Sequence, residues 1–119
     1  MKLSRLLVIT FVFSIGMVPA TAQESVRLQF EVVKDGSTVA KPEVLVNSGA
    51  PGRIEIADVG TFAFTPILRD SKVAITFDIS SAGKRFQPRL TISQNERGTI
   101  SWTSATSAES FSLTVAWAR

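Results

Sequence analysis

Ser81-Ala82-Gly83-Lys84 has the S-x-x-K spacing at which a lysine can activate a serine nucleophile. That chemistry wants the serine at a helix start beside a buried lysine. Here the four residues fall in a Gly-containing loop, Ser80 to Gly83, between alternating segments, and the companion S-D-N and K-T-G elements are missing. A loop is therefore the preferred reading, and a serine hydrolase using Ser81 and Lys84 the lesser one. Histidine, cysteine and tyrosine are all absent from the 119 residues. Without an imidazole, Ser-His-Asp and Cys-His systems have no group to take the proton. Ordinary zinc sites lose their His and Cys ligands as well. Asp70 and Asp78 flank one segment and Glu55 and Asp58 straddle a turn, but neither set has the alternating carboxylates of a calcium loop. Gly83-Lys84 lacks the upstream glycine and following hydroxyl of a phosphate loop. The residues thus call for no catalytic set, no metal and no cofactor.

Lys84-Arg85-Phe86-Gln87-Pro88-Arg89 is the basic cluster of the chain, with an aromatic inside it. Lys84, Arg85, Phe86 and Arg89 are the candidates for docking an acidic partner or a lipid headgroup surface. The competing and preferred reading is a solvated hairpin arm with Phe86 tucked into the core. Trp102 and Trp117 fall on the inward phase of their segments and read as core.

The segments that must position these residues alternate with period two, the signature of half-buried strands. Val26, Leu28, Phe30 and Val32 face one way and Arg27, Gln29 and Glu31 the other. Val44 with Val46, Ile54 with Ile56, Phe62 with Phe64, and Val73, Ile75, Phe77 and Ile79 continue the pattern. Leu90 with Ile92, Ile100 with Trp102, and Phe111, Leu113, Val115 and Trp117 complete it. Asp35-Gly36, Ser48 to Gly52, Asp58 to Gly60, Ser80 to Gly83 and Gln94 to Gly98 read as turns. No helical period and no sequence repeat stand out. The expectation is an all-β domain: a small antiparallel β-sandwich or partly open barrel of about seven to eight strands. A membrane barrel would need at least eight strands of about 9–11 residues, and segments such as Arg53 to Ala57 are too short.

The N-terminus is read as a secretory signal peptide, residues 1–22. Lys2 and Arg5 supply the positive start, Leu6 to Val18 the apolar core, and Ala20-Thr21-Ala22 an A-x-A cleavage site before Gln23. Removing residues 1–22 from 119 leaves 97, residues 23–119, as one domain. Two of the 13 basic residues and none of the 10 acidic ones leave with the signal, so the formal charge falls from +3 to +1. That is no nucleic-acid footprint, which needs a distinctly basic face, and no membrane span is expected once the signal is gone. An exported chain without cysteine fits a bacterial periplasm, or secretion beyond it, better than a disulfide-rich extracellular setting.

Pro42, Val44, Val46, Asn47, Ile54, Ile56 and Gly60 lie in the order apolar-x-x-Pro-x-apolar-x-apolar-Asn, a turn, then Ile-x-Ile-x-Asp-x-Gly. This stretch, Val39 to Gly60, resembles the short β module of secretins, the outer-membrane channels of type II and III secretion systems. A secretin channel is several times longer and has membrane-inserting strands. The residue before the Ile-x-Ile strand also departs from the usual alanine near Gly52-Arg53. The resemblance therefore implies a stand-alone exported module, in which these positions build a proline-led hairpin. The expected function is non-enzymatic binding of an envelope protein, associated with a secretion or outer-membrane assembly. The alternatives are a periplasmic small-ligand carrier and the Ser81–Lys84 hydrolase.

Overall fold

Alternation becomes pleated sheet along most of the described residues. The computed structural model describes the backbone of residues 9–13 and all of residues 24–119. The expected cleavage site and most of the expected signal lie outside the described residues. Strand β1 is Ile9–Phe13, β2 Ser25–Lys34, β3 Ser37–Ala40, β4 Glu43–Asn47, β5 Gly52–Ile56 and β6 Gly60–Arg69. They are followed by β7 Lys72–Ser81, β8 Lys84–Phe86, β9 Arg89–Ser93, β10 Arg97–Thr103 and β11 Ser110–Ala118. All pairings are antiparallel. One sheet runs β1-β5-β6-β7, with β8 and β9 both on the far side of β7; the other runs β10-β11-β2, with β3 and β4 both beside β2. The sheets stay separate along their edges, so the domain is a sandwich and not a closed barrel.

Residues 24–119 hold ten strands where seven or eight are expected. The excess has one cause, which acts twice. Pro42 and Pro88 each interrupt an edge strand, because proline offers no N–H to the ladder. Their carbonyls still serve: Phe30 N–H donates to Pro42 O and Phe77 N–H to Pro88 O, both at 2.9 Å. β3 with β4, and β8 with β9, are thus two bent edges. Two turn boundaries also move. Ser80 and Ser81 belong to β7, opposite Thr61 and Gly60, and Arg97 and Gly98 already belong to β10.

The two halves of the sandwich have one plan. Each opens with a ten-residue strand, β2 or β7. Each then turns on two residues with positive φ, Asp35-Gly36 (51° and 82°) or Ala82-Gly83 (53° and 80°), the geometry that matches strand twist in a tight hairpin. A short strand, a proline break, another short strand, a turn and two further strands follow in both. Exchanging the halves maps β5-β6-β7 onto β10-β11-β2, and the registers agree: Gly52, Ile54 and Ile56 pair with Phe64, Phe62 and Gly60 as Gly98, Ile100 and Trp102 pair with Val115, Leu113 and Phe111. The fold is an internal twofold repeat. Some inward positions keep the same residue in both halves, Gly52 with Gly98 and Ile54 with Ile100, while others keep only apolar character, as Ile56 with Trp102.

The inward rows make the core. Val26, Leu28, Val32, Val73, Ile75, Ile79, Leu113 and Val115 are wholly excluded from solvent. Phe30 meets Phe64 across the layers with ring centroids 5.1 Å apart. Among residues 24–119 the core runs from Val26 to Trp117 and draws on both sheets. At about 25 cal/mol per Å² of buried apolar surface this interior is the main stabilising term. The β4–β5 corner is held from both sheets. Ser48 N–H donates to Glu24 O at 2.8 Å, Gly49 N–H to Pro66 O at 2.6 Å, and Leu68 N–H to Ser48 Oγ at 2.8 Å.

Candidate functional site

Ser81 is a structural residue of β7. It is buried, its hydroxyl donates to Val59 O at 2.7 Å, and its oxygen accepts the Trp102 indole N–H at 3.0 Å. Lys84 extends to Thr103 Oγ1 at 3.4 Å, on an exposed arm. The hydroxyl proton is committed to a carbonyl, and the lysine amine is engaged on a neighbouring strand. Nothing in this geometry draws the proton from Ser81.

The basic cluster is divided at Pro88. Lys84, Arg85 and Phe86 line a shallow gap between β8 and β10 together with Ser101, Trp102 and Thr103. Phe86 is half-buried against Trp102, ring centroids 5.5 Å apart, as the hairpin-arm reading expects. Arg89 lies past Pro88 on β9, beside a different groove with Arg69, Lys72 and Thr76. Arg85 makes a two-pronged pair with Asp78, Nε to Oδ1 at 3.1 Å and Nη2 to Oδ2 at 2.9 Å. The hydrogen bonds from Arg85 hold the Asp78 carboxyl below the ordinary aspartate range, and the same contact raises Arg85. A depressed carboxylate contributes stability above its unfolded pKa and loses it as pH falls through the folded one. Solvent screening keeps that contribution small. An NMR titration should therefore find the Asp78 midpoint below that of an unpaired aspartate, and Arg85→Ala should return it upward.

The positions from Pro42 to Gly60 on which the sequence resemblance rests are architectural. Pro42 marks the β3–β4 break, and Val44, Val46, Ile54 and Ile56 are buried. Asn47 Oδ1 accepts the Ser25 hydroxyl at 3.2 Å, which ties the end of β4 to the start of β2. At Gly60, φ is +150° and a β-carbon would strike the Ser80 carbonyl oxygen of β7. Among the described residues no helix is long and apolar enough to cross a membrane, and no group of three acidic side chains is placed to hold a metal ion. Phe30, Phe62, Phe64 and Phe77 fill the interior between the sheets.

What the fold leaves open for binding is backbone, at the sheet edges. Two edges are blunted by Pro42 and Pro88, and none of their pieces exceeds five residues. Among the described residues β10, seven residues long, has a partner on one side alone, and the edge of β5 differs from all three because it takes an added strand. β1 pairs with it along its full length, Ile9 opposite Ile56 through Phe11 opposite Ile54 to Phe13 opposite Gly52. Sequence reading missed this pairing because the segment was read only as an apolar export core. The run Ile-Thr-Phe-Val-Phe, wholly β-branched and aromatic, is the signal that marks it as a strand. On β5 itself Arg53 Nη2 and Glu55 Oε2 form an ion pair at 2.7 Å, both half-exposed. Fold and edge together define a two-sheet antiparallel sandwich with a strand-accepting margin. No family model, no curated protein and no solved structure matches the chain.

Proposed function

We propose that this is a small exported protein of the bacterial envelope that works by binding protein and not by catalysis, with the edge of β5 as its docking site. The observation that carries the reading is the full-length antiparallel pairing of β1 on β5, which supports that edge as a place for strand addition. Main-chain donors and acceptors supply the affinity in such strand addition, and flanking side chains supply the selectivity. The export reading of residues 1–22 gives the edge its use: removal of that segment takes Ile9–Phe13 away and leaves β5 unpaired. The resemblance at Val39–Gly60 adds the setting, a secretion or outer-membrane assembly.

Photo-crosslinking in intact cells tests this. A crosslinking residue at Ala57, exposed just past β5, should capture a second polypeptide reproducibly. One at Gln29, exposed on β2 between β11 and β4, should not. Recovery of monomer alone from both positions would refute binding at this edge.

A further inference from the structure

Resting on that reading, we infer that the strand received by β5 is the β5 of a second copy of this chain. Antiparallel pairing of two identical strands about a twofold axis is isologous, so each residue meets one fixed counterpart. With Ile54 opposite Ile54 of the second copy, Arg53 stands opposite Glu55 and Glu55 opposite Arg53, while Gly52 stands opposite Ile56. This centre is the one already used in the structure, where Phe11 lies opposite Ile54. The strand seated there now offers Thr10 to Glu55 and Val12 to Arg53, so neither charge gains an opposite charge from it. A second β5 gives each of them one.

The register is also self-selecting. Sliding by two residues, the smallest step that keeps inward and outward faces in phase, sets Arg53 on Arg53 in one direction and Glu55 on Glu55 in the other. Like charges directly opposite are destabilising in a sheet. A generic apolar strand would leave Arg53 and Glu55 paired only with each other along β5, whereas the chain's own β5 offers each an opposite charge across the strands as well. The product is one sheet continuous across two sandwiches. Its five-residue contact falls among small, weak interfaces, which form and dissociate with concentration.

Sedimentation equilibrium on the processed protein recovered from the periplasm, its N-terminus read by mass spectrometry, measures the association. A concentration-dependent monomer–dimer equilibrium is expected. Arg53→Glu and Glu55→Arg should each weaken self-association about tenfold or more, since both cross-strand pairs become like-charged. Mixing the two variants should restore dimers, because every pair is then opposite in sign. That rescue separates charge complementarity from damage to folding, which circular dichroism of each variant also checks. A wild type that stays monomeric into the millimolar range, or a mixture no more associated than its components, overturns the inference. A heterologous partner at Ala57 with no homodimer keeps edge binding and removes the second copy. If the recovered chain is unprocessed, the export reading fails, and residues 23–119 produced directly should still self-associate.

Discussion

Trp102→Ala should cost about 3–5 kcal/mol, the range for removing a large buried aromatic. In a domain whose whole stability is of order 5–15 kcal/mol, that brings the folded state close to its limit. Three rings surround this indole. Phe111 stacks on it with centroids 5.7 Å apart and planes 9° from parallel, Phe86 lies at 5.5 Å and Phe62 at 6.0 Å. Deletion leaves a void between the sheets, where collapse is limited because each neighbour is anchored in its own ladder. It also takes the N–H from the Ser81 oxygen, although that hydroxyl keeps Val59 O as its acceptor. Trp102→Phe separates the contributions: it keeps most of the ring and loses the N–H, and should cost about 1–2 kcal/mol. Urea unfolding followed by circular dichroism measures both. A loss below about 1 kcal/mol for Trp102→Ala would mean that the indole is not part of the core.

Gly60→Ala should be as damaging, for a backbone reason. At φ +150° the added β-carbon meets the Ser80 carbonyl and the Ser81 backbone of the neighbouring strand, so β6 and β7 must move apart at their first pair, Gly60 opposite Ser81. A rare backbone conformation costs about 1–3 kcal/mol on its own. With the collision added, a loss of about 3 kcal/mol or more is expected. Gly36→Ala is the control: its φ is +82°, but a β-carbon there meets nothing within 4 Å. It should cost only the left-handed penalty, about 1–2 kcal/mol. Equal losses at both sites would show that the contact with Ser80 is unimportant.

The core was legible because the inward positions of the strands obey period two; Val59, buried in the β5–β6 turn, is the exception. Val26 to Val32, Val73 to Ile79 and Phe111 to Trp117 can be read straight from the chain, and Trp102 and Trp117 are buried as their phase requires. What sequence hid is long-range. Ser80 and Ser81 look like loop because they are polar, yet they complete β7 since Gly60 and Thr61 lie opposite them. The basic run looks like one patch, but Pro88 separates Arg89 from the rest. The β5 margin was legible only in part. Arg53 and Glu55 are evident as outward residues, but that this edge receives a strand emerges only from pairing across the fold.

The plan shared by the two halves has a topological consequence. The β6–β7 hairpin at Asp70-Ser71 joins the first half to the second, while the ends of the sandwich lie side by side, Arg119 Nη1 reaching Glu24 Oε1 at 3.4 Å. β11 and β2 therefore stand to each other as β6 and β7 do, lacking only a covalent turn. A circular permutant, opened at Asp70-Ser71 and closed from Arg119 to Glu24, would exchange the order of the halves and keep every strand pairing of residues 24–119. For this sandwich, the strand pairings do not depend on which half leads.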